Sequence, residues 1–308
     1  MMYDLAVIGG GPAGTAAGVY ASRKRLHTIF ITEEWGGQSI VSEDIQNWIG
    51  TISISGTDLA KSLENHLKHY AGDIVDIVEH TRVENVEKKG DGFLVTDAKG
   101  NTYEARAVLI TTGAHRRKLE VPGAKEFDQK GLTYCASCDG PLFSGMDVAV
   151  IGGGNAGFET AAQLLAYAKS VTLLHNKPEF KADPVTVKKV LEDPKMRAIT
   201  NATTKEIKGE KMVSGLVYED TQSGETQELP VQGVFVEIGL IPSTSFAKDL
   251  VELDQYNRII VNGKSQQTNT EGVWAAGDCT NELYHQNNIA AGDAVKALED
   301  IYVWLKAK

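Results

Sequence analysis

The sequence predicts an α/β protein made of two Rossmann-like nucleotide-binding domains, the second inserted into the first. Three observations carry that prediction. A short apolar strand near the N-terminus runs into a glycine-rich turn and a helix. The same succession begins again at Val148. The tail after Pro242 does not prolong the second unit and reads as the missing part of the first.

In the first unit, Leu5-Ala6-Val7-Ile8 is the strand, Gly9-Gly10-Gly11-Pro12-Ala13-Gly14 the turn, and Thr15 to Arg25 the helix. Gly9 permits the tight turn, Gly11 lets backbone approach a pyrophosphate, and Gly14 lets helix pack on strand. The uncapped amides and positive end of such a helix favour phosphate. Thr28 to Ile31 is the next strand, and Glu33 stands where a carboxylate accepts from ribose hydroxyls. In Trp35-Gly36-Gly37-Gln38 the paired glycines either let a planar ring lie against backbone or form an ordinary turn. Leu59, Leu63 and Leu67 give residues 58–70 helical periodicity, residues 74–96 alternate as strands, and Val108 to Gly113 is a buried strand with a small-residue ending.

The repeat consists of a strand Val148 to Ile151, the turn Gly152-Gly153-Gly154-Asn155-Ala156-Gly157, a helix to about Ala168 and a strand Val171 to Leu174. Val234 to Gly239, ending Ile238-Gly239, echoes Leu109 to Gly113. Two such units imply two nucleotides, one pyrophosphate site each. In the tail, Ile259-Ile260-Val261 and Gly272 to Asp278 read as strands and Asn288 to Leu305 as an amphipathic helix. Gly277-Asp278 puts a carboxylate at a strand end, where ligands collect in open α/β sheets. The expected domains are therefore 1–114 with 248–308, and 115–247, with crossings at 115–119 and 242–248 suited to act as hinges.

Between the two units lies Cys135-Ala136-Ser137-Cys138-Asp139-Gly140-Pro141. Two thiols at this spacing can close and reopen a small disulfide ring. Gly140 and Pro141 cut any helix after about one turn, unlike a thioredoxin-like module. A zinc site would need four ligands, and Cys279 is the one other cysteine. A static disulfide or two unrelated thiols are the remaining alternatives; redox cycling is the preferred reading. With 308 residues, 31 glycines and a net charge of −10, the chain reads as a compact protein that avoids nucleic acid and anionic membranes. Few cysteines and no signal-like or spanning apolar run lead us to expect a cytoplasmic protein.

Over almost its whole length the chain resembles the low-molecular-weight thioredoxin reductases. Gly9 to Gly14, Gly36 to Gln38, Asn47, Thr112-Gly113, Cys135 to Asp139, Gly152 to Gly157 and Gly277-Asp278 carry the resemblance. Thr133-Tyr134, Gly140 to Phe143, Lys181-Ala182-Asp183 and Ala276 to Cys279 lean toward the flavoprotein reductase component of alkyl hydroperoxide reductase. The resemblance implies FAD in the first domain, contacted by Glu33, Gly36, Gly37, Gln38, Asn47, Asp278 and Gln286. His285 replaces an arginine common beside that glutamine. NADPH or NADH is implied in the second domain, near Gly152, Gly154, Asn155, Ala156, Gly157, Ile238 and Gly239.

By the same resemblance Cys138 adjoins the flavin and Cys135 attacks the partner's disulfide. Asp139 is placed to exchange a proton with the pair, or else is a turn residue before Gly140. The expected partner is a thioredoxin-like or glutaredoxin-like dithiol protein acting in trans, since the chain starts directly at its first strand; a homodimer is expected. A peroxiredoxin-type system, a flavin NAD(P)H oxidase or electron-transfer reductase, and a non-enzymatic redox sensor are the alternatives. Where NADPH-using relatives have His-Arg-Arg and a further arginine, this chain has His175-Asn176-Lys177 and Lys181. Lysine is a point charge on a flexible stem rather than a planar fork, so weak discrimination between NADH and NADPH is expected.

Overall fold

The computed structural model describes residues 2–42 and 44–307. The chain opens with β1 (Met2–Gly10), α1 (Pro12–Arg23) and β2 (Thr28–Trp35). A 3-10 turn (Gly37–Val41) and α2 (Gly56–Ala71) lead to β3 (Val75–Val78), β4 (Val83–Lys89), β5 (Gly92–Asp97) and β6 (Thr102–Ile110). After β7 (Ala114–Arg116) come β8 (Leu132–Thr133), α3 (Ala136–Asp139) and a second 3-10 turn (Gly140–Phe143). Then follow β9 (Asp147–Ile151), α4 (Asn155–Leu164), β10 (Ser170–Leu174), α5 (Pro184–Leu191) and β11 (Met196–Ile199). An antiparallel trio, β12 (Ala202–Gly209), β13 (Val213–Asp220) and β14 (Thr226–Pro230), precedes β15 (Gly233–Val236). The chain ends through β16 (Leu240–Pro242), β17 (Val273–Ala275) and α6 (Asn287–Ala307).

Two compact units result, Met1–His115 with Ile241–Lys308, and Arg116–Leu240. The second crossing thus falls at 240–241, earlier than the 247/248 division read from sequence. Backbone bonding explains the shift. Ser243 N donates to Gly113 O at 3.0 Å, and the Thr112 hydroxyl donates to Ser243 O at 2.7 Å, so the chain is already tied into the first unit there.

In the first unit the sheet runs β3-β2-β1-β6-β5-β4, with β17 pairing the distal half of β6. The strands β3, β2, β1, β6 and β17 are parallel, and β5 and β4 are antiparallel additions. Alternation along β1 sends Leu5 and Val7 to one core, with Ala17 of α1 and Leu298 of α6, and Ala6 and Ile8 to the other, with Val95 and Ile259. α2 begins where the Ser55 hydroxyl accepts from Asp58 N at 3.1 Å, and it buries Leu59, Leu63 and Leu67.

The second unit has a parallel sheet ordered β11-β10-β9-β15-β8. Along β9, Val148 and Val150 face Phe158 and Leu164 of α4, while Ala149 and Ile151 share a core with Leu216 and Tyr218 of β13. Each unit therefore has one helical face and one β face, which is the repeat seen in sequence. The strand expected at 259–261 does not form. Ile259 makes isolated bridges to Leu253 and Thr280, because the Asp254 carboxylate accepts from the Tyr256 and Arg258 amides and closes the chain into a turn.

Candidate active site

In the first unit, β1 delivers its glycine turn to the rim of a cleft of about 1100 Å³. Gly9 has φ +118°, a conformation that L side chains rarely adopt. A Cβ on Gly14 would stand 1.7 Å from Gly9 O, so only glycine lets α1 start there. The N-cap Gly11 offers no side-chain cap, and a Cβ on it would meet nothing within 4 Å. Open space before uncapped helix amides fits a pyrophosphate.

Gly9, Gly11, Pro12, Ala13, Glu33, Gly37, Gln38, Thr112, Gly113, Gly277 and Asp278 all line this cleft. The Gln38 side-chain amide donates to Ala114 O. Gly36 does not line the cleft: a Cβ there would meet Ala60 at 2.4 Å, so this glycine seats the turn on α2. Asn47 and Gln286 are bonded to one another, Nδ2 to Oε1 at 3.3 Å, outside the lining. His285 Nε2 donates to Glu282 O at 3.0 Å. Asn287, held at 2.8 Å by the Ser39 hydroxyl, lines the cleft and was not foreseen. The adjacent Gln286 was the only local signal for it. Cys279 is fully buried, and burial pushes its thiol up to about 12, so it stays a packed, protonated residue.

In the second unit, Gly152 has φ +132°, a Cβ on Gly157 would stand 1.9 Å from Gly152 O, and Gly154 is an uncapped N-cap facing open space. Asn155 Oδ1 accepts from Asp183 N at 2.8 Å, and Lys181 N donates to Gly153 O at 2.8 Å. These bonds tie the loop after β10 to the glycine turn. Ala156, Asn176, Lys177 and Lys181 are exposed. His175 is buried instead. Its Nε2 donates to Glu179 O at 3.0 Å, and a Cβ on Gly153 would lie 2.4 Å from its ring. Burial holds its pKa below the ordinary value, aided by Lys181 and Lys177 and opposed by the Glu179 bond.

Ile238 and Gly239 follow β15, and Arg117 N donates to Gly239 O at 3.0 Å. The preceding Glu237 was not read from sequence. Its Oε1 accepts from the Thr160 hydroxyl at 2.9 Å, and Arg116 approaches Oε2 at 3.5 Å. Burial pushes this carboxyl above its ordinary pKa, with Arg116 and Thr160 pulling the other way.

Cys135 and Cys138 form a disulfide with a Cα–Cα distance of 5.3 Å, inside the ordinary range. Both are half-buried. Cys135 is the N-cap of α3 and Cys138 lies within it; the helix is one turn long, as Gly140 and Pro141 require, and Ala136 and Phe143 anchor it in the core beside α4. Cys138 N donates to Cys135 Sγ at 3.2 Å. Ser137 donates to Gln163 Oε1 of α4 at 3.1 Å. Asp139 is buried and accepts from the Thr133 hydroxyl.

A chain that combines two such glycine turns with a Cys-x-x-Cys disulfide has counterparts among known proteins. Residues 3–294 match the Pyridine nucleotide-disulphide oxidoreductase family. The chain belongs to that family. Its members use FAD and NAD(P)H, which places this chain among the flavoprotein disulfide reductases. The chain is 42% identical over 295 residues to a protein of Bacillus subtilis (strain 168) named NADH dehydrogenase, covering 96% of this chain and 57% of that protein. It is 40% identical over 296 residues to a component of the alkyl hydroperoxide reductase of Escherichia coli (strain K12), again 96% of this chain and 57% of that one. The chain thus spans little more than half of these relatives. The structure of a thioredoxin reductase from Streptococcus pyogenes superposes with a TM-score of 0.90 at 33% identity, covering 100% of this chain and 99% of the other.

Proposed function

We propose that this protein carries electrons from NAD(P)H through FAD and the Cys135–Cys138 disulfide to a small dithiol protein in trans. The observation that carries this reading is the half-buried disulfide on a one-turn helix with a buried carboxylate beside it. FAD would be held in the first unit by the Gly9–Gly14 turn and the α1 amides, with Glu33 at its ribose and Gly37, Gln38, Thr112 and Asp278 along the remaining cleft. Bound there, it supplies two-electron exchange between the nicotinamide and the disulfide. The nicotinamide nucleotide would sit on the Gly152–Gly157 turn, with His175, Asn176, Lys177 and Lys181 near its adenine ribose.

Two electrons entering the Cys135–Cys138 bond break it and leave charge on two sulfurs, so protons must arrive. The Cys138 amide, already aimed at Cys135 Sγ, steadies charge on that sulfur. Cys135 Sγ then attacks the partner's disulfide, forming a mixed disulfide and expelling a partner thiolate. Asp139 supplies a proton to the departing sulfur. Cys138 attacks Cys135 in turn, which restores the intramolecular disulfide and releases the partner with both electrons.

Steady-state turnover with NADH and NADPH against thioredoxins, glutaredoxins and small disulfides tests the proposal. Saturable reduction of one protein disulfide is expected; oxygen reduction alone across the screen would reverse it. That second outcome is the oxidase or electron-transfer reading; the Bacillus subtilis relative, named NADH dehydrogenase, makes electron transfer from NADH to an acceptor other than a protein disulfide the second alternative. Among the described residues no helix is long and apolar enough to cross a membrane. A cytoplasmic setting and a homodimer are part of the proposal, and sedimentation of the purified holoenzyme checks the latter.

A further inference from the structure

We propose that Thr133 is a positioning residue for the dithiol, fixing where and at what pH Asp139 exchanges its proton. The inference rests on Asp139 being the proton donor of the exchange step.

The direction of each hydrogen bond follows from valence. Cys135 N–H can only donate, and it lies 3.3 Å from Thr133 Oγ1. The threonine oxygen therefore accepts from that amide, and its single proton goes to Asp139 Oδ2. One hydroxyl thus joins the backbone of the first cysteine to the carboxyl. Thr133 is 3% exposed and Asp139 9%, so water does not replace this bond easily. Thr133 ends β8, which pairs with β15 through Phe235, so the hydroxyl is placed by the sheet rather than by a loop.

A donated bond favours the charged form of a carboxyl, whereas burial favours the neutral form. α3 packs on α4 and the Gly140–Phe143 turn, and of these only α4 carries an ionisable side chain, the exposed Glu159. Tyr134, next to Thr133, has its hydroxyl engaged by Leu119 N at 3.2 Å. The two cysteines join these ionisable neighbours once reduced.

The experiment uses holoenzyme reduced with NADH and mixed with either of two disulfides across pH 5–9. Hydroxyethyl disulfide releases an alkyl thiol that needs a proton; 5,5′-dithiobis(2-nitrobenzoate) releases a thiolate that does not. In both, the enzyme dithiol is oxidised to its disulfide and the probe is reduced by two electrons, to two alkyl thiols in the first case and two aromatic thiolates, with the dithiol's protons passing to solvent, in the second. Thr133→Val should slow the hydroxyethyl reaction by about tenfold, with a smaller loss for the aromatic disulfide, and move the high-pH limb upward. Thr133→Ser should restore rate and profile. Superimposable profiles for Thr133→Val and wild type would overturn the inference. So would an equal loss with both probes that serine fails to rescue, since that marks a packing defect. Asp139→Asn, measured alongside, separates the two readings. An unchanged hydroxyethyl rate in that variant would remove Asp139 from the mechanism, and Thr133 with it.

Discussion

The two glycine turns share a sequence pattern and differ in their surroundings. In the first unit Pro12, Ala13, Gly14 and Thr15 are all buried, α1 is packed by α2 and α6, and the turn lies on a cleft of about 1100 Å³. In the second, Asn155 and Ala156 are exposed and burial begins at Gly157. The residues at the carboxyl ends of the second strands diverge as well. Glu33 is exposed on the cleft wall, whereas His175 is folded beneath Gly153. A group that remains through every cycle gains from enclosure, and one that must depart gains from an open rim. The local motif is shared while the packing behind it differs, which on the proposed function suits one turn to a resident group and the other to an exchanging one.

The dithiol belongs to the second unit but uses neither turn, so its removal should leave both nucleotide sites intact. Cys138→Ser and Cys135→Ser should each cut reduction of a disulfide protein by a thousandfold or more, about 4 kcal/mol in barrier. FAD content and bleaching by NAD(P)H should be unchanged. Cys135→Ser, and not Cys138→Ser, should prevent capture of a mixed disulfide with the partner, as read by non-reducing electrophoresis. The opposite capture pattern would exchange the two roles.

Gly14→Ala and Gly157→Ala test the comparison directly, because each new Cβ meets the carbonyl of the turn, 1.7 Å away in one case and 1.9 Å in the other. Overpacking of this kind costs about 1–3 kcal/mol. Gly14→Ala should purify depleted of FAD, while Gly157→Ala should keep its FAD and show a KM for NAD(P)H raised by about tenfold, roughly 1.4 kcal/mol. Loss of flavin from Gly157→Ala would erase the distinction between the turns.

These turns were legible because their requirement is local: a glycine at a positive φ, another touching the first glycine's carbonyl. The alternating strands β1 and β9 and the leucine-spaced α2 were legible for the same reason. Contacts between distant stretches were not. Nothing in the residues near Glu237 announces Arg116, and nothing near Asn287 announces Ser39. Gly36 fitted a ring-stacking glycine as well as it fitted its observed contact with Ala60. Ile259-Ile260-Val261 has strand composition, yet Asp254 closes the turn before it. Thr133 and Asp139 were both quoted from the sequence, but their bond depends on α3 ending after one turn.

Nucleotide choice should show a smaller effect. His175 is packed away, which leaves Lys177 and Lys181 as the exposed cations of that loop, with Asn176 and Glu179 beside them. No carboxylate stands at the strand end to repel a 2′-phosphate, and no guanidinium fork grips it. kcat/KM for NADH should lie within about tenfold of that for NADPH, a gap of no more than ~1.4 kcal/mol. The measurement needs fixed salt, since exposed lysines are screened. A thousandfold preference for NADPH would mean that the lysines clamp the phosphate despite their exposure.

The smallest effect concerns one pair of equivalent positions. Thr111 follows β6 as Glu237 follows β15, and the carbonyl of each lies against the first glycine of its turn, where a Cβ would approach to 2.4 Å at Gly9 and 2.1 Å at Gly152. Thr111 is neutral and donates to Ile8 O at 2.8 Å, so the first unit carries no ionisation at this point. Glu237 does. Burial, outweighing Arg116 and Thr160, raises its folded-state pKa above the ordinary 4.5. The folded protein then holds this proton more tightly than the unfolded chain, so the contribution to stability is full below the ordinary value and lost as pH rises through the folded value. Glu237→Gln keeps an acceptor for Thr160 and removes the titration. The difference in Tm between Glu237→Gln and wild type should therefore shift in favour of the glutamine as pH rises from 4 to 8, in melts of the holoenzyme. Thr111→Val should change Tm by the same amount at every pH in that range. A wild type that gains on Glu237→Gln as pH rises would show that Arg116 outweighs burial, and that the second turn is braced by an ion pair where the first uses a neutral hydroxyl.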